Sequence, residues 1–260
     1  MYKAVDDKGN IRAIKVSEDL LSITNEYNGM MELKGSSFVP TVYDFDDFKV
    51  NNRTYHFIVM DFIEGYNLRK IREKTDLGIK KILKIGMILV RMLEKISRLG
   101  YRYTDIKLDN IIIDKGGKLY IVDFGSLVKD SMPTKEYTPA YNINSWNLKY
   151  KHNPTLASLF SITMVMVSLI SGREYNPLKY DLEHIIKDIN NFSIHNRIKT
   201  FLIKGLTGKF PDYHIYSNSL ASILVEKNHS TSISIIDYLL IISIVSFVFV
   251  LLLGIKVILT

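Results

Sequence analysis

The segment Asp105-Ile106-Lys107-Leu108-Asp109-Asn110 places two carboxylates, an ammonium and a carboxamide within six residues. An apolar run, Ile111-Ile112-Ile113, follows at once. A further carboxylate, Asp123, comes thirteen residues after Asn110, at the end of the apolar stretch KLYIVDF and ahead of Phe124 and Gly125. Phosphoryl transfer asks for groups of these kinds, because charge on the phosphate oxygens must be neutralised and the acceptor hydroxyl held in line. Carboxylate and carboxamide oxygens are also the donors that magnesium prefers. Taken singly, each residue reads as an ordinary loop position capping a turn, and the Asp-Phe-Gly triplet alone carries almost no information.

These groups need a scaffold, and the hydrophobic patterning supplies one. MYKAV and IRAIKV alternate on either side of Asp6-Asp7-Lys8-Gly9-Asn10, which predicts a β-hairpin over residues 1–16. Residues 18–34 read as helix. Phe38–Phe45 and Thr54–Phe62 read as two further strands joined by a polar turn at Asn51-Asn52. Ile79–Leu99 holds a helical period, with Gly100 as a natural C-cap. Short strands then flank Gly116-Gly117, and nearly everything beyond Leu156 reads as helix or connecting loop. Leu156–Ile170, interrupted by Ser158, Ser161, Thr163 and Ser168, is expected to be a buried core helix and not a membrane span. The layout is α+β: a small sheet with one helix, then a larger helical part.

The D-x-K-x-x-N loop before a hairpin, followed by D-F-G, resembles the catalytic core of Hanks-type serine/threonine protein kinases. The resemblance covers roughly residues 1–225 and implies a bilobal fold, with an N-lobe to about residue 63 and a C-lobe over 64–225. It implies ATP and Mg2+ as cofactors. Asp105 would be the catalytic base orienting the acceptor hydroxyl, and Lys107 would stabilise the transferred phosphoryl group. Asn110 and Asp123 would be the magnesium ligands. Ala13-Ile14-Lys15 resembles the family's V-A-I-K strand, with Lys15 on the α/β-phosphates and Glu26, in preference to Glu32, as its paired glutamate. Met60-Asp61-Phe62-Ile63-Glu64-Gly65 resembles the hinge that bonds adenine, with Met60 at the back of the pocket and Asn67 near the ribose. Asp109 falls at a position that varies in the family and is read as an ordinary loop residue. Thr138-Pro139-Ala140-Tyr141 resembles the end of the activation segment, and Ser158–Gly172 the long central helix.

Departures from the pattern are as specific. Met1-Tyr2-Lys3-Ala4 resembles the family's second strand, so its first strand and glycine-rich loop have no counterpart in this sequence. H-R-D reads Tyr103-Thr104-Asp105. Without the arginine there is no basic pocket for a phosphorylated activation loop, and regulation by that route is not expected. Ile143-Asn144-Ser145 replaces A-P-E, and no arginine stands near Pro211-Asp212-Tyr213-His214, so both partners of one buried ion pair are missing together. Ser158 stands where the family has an aspartate.

Composition bounds the remainder. With 47% hydrophobic and 23% charged residues the body should bury a core. The absence of cysteine excludes a disulfide framework, a thiolate nucleophile and Cys-ligated zinc or iron–sulfur sites. The net charge of +7 fits acidic partners, but with no basic-aromatic module no nucleic-acid partner is expected. The first twenty residues contain no signal-peptide pattern. Tyr238–Ile255 (YLLIISIVSFVFVLLLGI) runs eighteen residues without a charge, fourteen of them Leu, Ile, Val or Phe. As a helix it spans about 27 Å, close to the hydrocarbon thickness of a bilayer. Its insertion gains on the order of 4 to 8 kcal/mol. The expected organisation is a kinase-like domain over 1–225, a polar linker over 226–232 and a C-terminal membrane anchor over 233–260. This would be a single-pass protein whose catalytic domain is cytoplasmic and acts on a protein substrate. The competing reading is a pseudokinase, a nucleotide-binding or scaffold module at the membrane. A small-molecule kinase related to aminoglycoside phosphotransferases is disfavoured by Lys107, two residues after Asp105.

Overall fold

The computed structural model describes residues 1–133, 137–149 and 152–226. Residues Met1–Ala221 form one compact unit, and every described core side chain belongs to it, so the unit carries its own core. The expected tail anchor lies outside the described residues.

The N-terminal part is a four-stranded antiparallel sheet of order β1-β2-β4-β3, made of β1 (Tyr2–Val5), β2 (Ile11–Ser17), β3 (Val42–Val50) and β4 (Arg53–Asp61). The hairpin expected over 1–16 is β1–β2. The Asn51-Asn52 turn joins β3 to β4 with both residues at positive φ, the backbone that a two-residue turn between twisted strands requires. The third strand differs from expectation. It starts at Val42 and runs to Val50, because Phe38 and Val39 are buried in a loop whose Phe38 carbonyl accepts from Ile121 N–H at 2.9 Å. Those apolar residues serve packing against the C-terminal part and not a ladder.

Between β2 and β3 lies α1 (Leu20–Glu32), capped by Asp19, whose Oδ1 accepts from Ser22 N–H at 3.1 Å. It buries Ile23, Glu26, Gly29 and Met30, a helical spacing that turns one face to the sheet and one end to the C-terminal part. Next come β5 (Gly65–Asn67), α2 (Leu68–Lys74) and α3 (Ile79–Arg98), the last followed by Gly100 at φ +81°. A second sheet of order β5-β7-β8 uses β7 (Ile111–Asp114) and β8 (Leu119–Ile121). A two-stranded sheet pairs β6 (Tyr101–Tyr103) with β9 (Leu127–Lys129).

The expected core helix is α4 (Pro154–Ser171), buried without a break from Ser158 to Leu169 and stopped by Gly172 at φ +71°. By length and apolarity alone it could cross a membrane, but here it packs against α3 and α6 as the centre of the helical part. α5 (Leu182–Asn191), α6 (Asn196–Leu206) and α7 (Tyr213–Glu226) complete the described chain. At the site of the missing A-P-E ion pair, Ile143 and Trp146 are buried instead, with the Trp146 ring 6.3 Å from Phe160.

Candidate active site

β2 and β4 pair with Ala13 opposite Met60 and Lys15 opposite Ile58. Alternation along a strand then puts Ala13 and Lys15 on one face. Lys15 Nζ forms an ion pair with Glu26 of α1 and lies 3.6 Å from Asp123 Oδ1. Glu26 is 2% exposed, so its charge depends on that partner. Burial pulls the Lys15 pKa down, but the charge and hydrogen bond of Glu26, aided by Asp123, outweigh it and hold the amine above its ordinary value.

The Asp105 carboxylate is the meeting point of three side chains. Lys107 Nζ lies 2.5 Å from its Oδ2, Asn110 Nδ2 donates to the same oxygen at 3.1 Å, and the Thr138 hydroxyl donates to Oδ1 at 2.7 Å. Asn110 Nδ2 also faces the Tyr103 hydroxyl at 3.1 Å, and the Tyr103 hydroxyl reaches the carbonyls of Val122 and Asp123 at 3.0 and 3.1 Å. Burial, with the Asp123 and Asp105 charges, pushes the Tyr103 phenol well above its ordinary pKa, so it remains a donor. Asp123 sits at φ +65°, a left-handed conformation that costs a non-glycine residue about 1–2 kcal/mol. The Tyr103 bonds hold it there, together with the fully buried Phe124 that follows. Asp123 is thereby turned toward Lys15.

Above this cluster is an apolar cavity of about 120 Å³ whose lining includes Ala13, Met60, Phe62, Ile112, Val122 and Asp123. Asp61 also borders it, but its carboxylate is taken up by Thr41 N–H at 2.9 Å, the Tyr43 hydroxyl at 2.7 Å and Arg12 at 3.6 Å. Asn67 is not brought to the cavity. Its Oδ1 accepts from Lys70 N–H at 2.9 Å as the N-cap of α2, because a carboxamide at a strand-to-helix junction satisfies a free helix N–H. A second cavity of about 570 Å³ is lined in part by Thr138, the partner of Asp105, with Pro139, Ala140, Tyr175 and Leu178.

A protein kinase domain family matches residues 1–239. The chain belongs to the protein kinase family. Among its relatives, the serine/threonine-protein kinase YabT of Bacillus subtilis is 26% identical over 216 residues, covering 81% of this chain and 63% of that protein. A probable serine/threonine-protein kinase of Clostridium perfringens is 24% identical, covering 58% of this chain and 24% of its own. One from Bifidobacterium longum is 23% identical, covering 73% and 27%. The chain thus spans less than two thirds of the length of each of these relatives. The family, of the Hanks serine/threonine type, generally uses ATP and Mg2+.

One part of the candidate site escapes sequence reading. Arg69 of α2 grips Asp109 through Nε and Nη2, both at 2.7 Å, and also pairs with Glu174 after α4. Arg72 lies 3.5 Å from the same glutamate. Asp109 is therefore the anchor of a clamp and not an idle loop residue. The hydrogen bond from Arg69 holds its carboxyl below the ordinary carboxylate range. Nothing in the sequence signals a contact between residues 40 and 105 positions apart.

Proposed function

We propose that the chain is an active serine/threonine protein kinase that moves the γ-phosphate of ATP to a protein hydroxyl while held at a membrane by residues 238–255. The observation that carries the enzymatic part is the set of groups on Asp105: one lysine, one carboxamide and one hydroxyl fix both of its oxygens. A buried carboxylate so oriented suits a base that takes the acceptor's proton, since proton transfer depends on placement before basicity. Lys107, now on Asp105, brings the positive charge that a transferring phosphoryl group requires. Lys15, fixed by Glu26, would carry the non-transferred phosphates, and the apolar cavity beside Met60 and Phe62 would take adenine.

A magnesium ion fits the donors available. The Asn110 amide nitrogen is committed to Asp105 and Tyr103, which leaves its Oδ1 as a hard donor, and the Asp123 carboxylate is half exposed. When bound, the ion supplies neutralisation of charge on the phosphate oxygens. The membrane part of the proposal is supported by the uncharged stretch Tyr238–Ile255 alone.

The test is magnesium-dependent phosphate transfer from ATP by the full chain. Asp105→Asn should lower turnover about a hundredfold or more while nucleotide affinity changes little, because an interaction formed in the transition state affects rate more than ground-state binding. Asp123→Asn should weaken nucleotide binding and turnover together. Absence of transfer by the wild-type chain, to itself and to every protein offered, would leave the pseudokinase reading in its place.

A further inference from the structure

The net charge of this protein is not diffuse. Helix α3 holds Lys80, Lys81, Lys84, Arg91, Lys95 and Arg98 against one acid, Glu94, so it contributes +5 of the chain's +7. At 3.6 residues per turn, five of them (Lys80, Lys84, Arg91, Lys95 and Arg98) fall within an arc of about 60°, in a row about 27 Å long. All six basic side chains are exposed. The opposite face, which includes Leu89, Val90, Leu93 and Ile96, is buried in the core. Among the described residues only Arg98 of the row has an acidic partner, Glu94 at 2.7 Å, while Lys95 lies 5.8 Å over the Phe38 ring.

Folding gives no reason for this arrangement. Like charges four apart, as in Lys80/Lys84 and Arg91/Lys95, repel and weaken a helix, whereas alternating signs would strengthen it. A row of five cations, four of them without an acidic partner among the described residues, on a helix packed along its other face is complementary to an extended anionic surface.

We propose that the exposed face of α3 docks on anionic lipid headgroups, as a second, purely electrostatic membrane contact of this kinase. Lipid is favoured over nucleic acid because α3 contains no aromatic side chain to stack on bases. The same chain also carries the uncharged stretch Tyr238–Ile255. The choice of lipid rests on that membrane reading. Because the apolar face of α3 is consumed by the core, the contact is peripheral: it inserts nothing, and salt screens it.

The tail would mask this contact, so the experiment uses a chain ending at Glu226, which retains the whole compact unit Met1–Ala221 with its core. Co-sedimentation is measured with vesicles of phosphatidylcholine alone and with vesicles that also contain phosphatidylglycerol. The expected result is binding to the anionic vesicles only, lost as salt rises from about 0.05 M to about 0.5 M. Replacing Lys80, Lys84, Arg91 and Lys95 together by Gln should weaken it about a hundredfold or more, with the thermal midpoint and the phosphotransfer rate kept. Unchanged binding by the four-Gln variant overturns the proposal, as does the absence of binding to anionic vesicles. Tighter, α3-dependent binding to a short DNA duplex than to those vesicles would make nucleic acid the partner, and also overturns it. Failure of the tail anchor would leave all of these results untouched, so the two readings fail separately.

Discussion

The Thr138 hydroxyl donates to Asp105 at 2.7 Å, and the Thr104 hydroxyl donates to the Ser126 carbonyl at 3.0 Å. The first bond separates hydroxyls of the activation segment that sequence alone treats alike. Thr138→Ala should reduce turnover about tenfold or more, since a freed carboxylate is less well aimed. Joint replacement of Ser131 and Thr134 by Ala should leave turnover intact in steady-state assays, because Thr104 stands where an arginine would bind a phosphate. Arg69 gives a pH signature. Its bond lowers the Asp109 pKa below the unfolded value, so the clamp's contribution is complete above that value, about pH 4, and is lost as pH falls through the folded one. Thermal melting should therefore find Arg69→Ala less stable than wild type at neutral pH and nearly equal to it in acid. The Lys15–Glu26 pair was legible beforehand through the resemblance, whose spacing favours Glu26 over Glu32 as the acid that a strand lysine needs. The Arg69 clamp was not, since its three members gain meaning only after α2, the Asp105 loop and the end of α4 meet.

At the scale of elements, the position of α1 decides whether Glu26 can reach Lys15. The helix lies directly on the Asp-Phe-Gly turn: a Cβ added at Gly29 would come 2.6 Å from the Phe124 carbonyl oxygen and 3.0 Å from its Cβ. Neither neighbour is a flexible side-chain end, so the backbones must part. Gly29→Ala should displace α1, loosen Lys15 from Glu26 and lower turnover, and overpacking of this kind costs about 1–3 kcal/mol in stability. Denaturation together with nucleotide titration would read both effects; equal nucleotide affinity in the variant would show that α1 does not need this close seat. Elements with strong periodicity, such as α3 and the β1–β2 hairpin, were legible from pattern alone. The strand expected from Phe38 failed because Phe38 answers to a distant partner, Ile121, and Val39 to the nearby Ser36. Four strands have three residues each, too short to carry a period; only β8 was read from the sequence, as part of the apolar run KLYIVDF.

Over the whole molecule, two features point to a membrane by different physics, and salt separates them. The proposed α3 contact would act through charge, and in about 1 M salt a Debye length near 3 Å would erase it. As a span, Tyr238–Ile255 would act through apolar transfer, with an insertion free energy on the order of 4 to 8 kcal/mol that screening does not touch. The full chain should therefore remain with the membrane fraction through a 1 M salt wash and leave it only in detergent. The chain ending at Glu226 should be washed free at the same salt, even where it binds anionic vesicles in dilute buffer. Fractionation of cells expressing each form checks both statements. Retention of the shortened chain in high salt would mean that the body itself inserts apolar surface, and α4, buried from Ser158 to Leu169, would not be its source. Release of the full chain would show that Tyr238–Ile255 does not span, and the kinase would then reach a membrane only through the cationic face of α3.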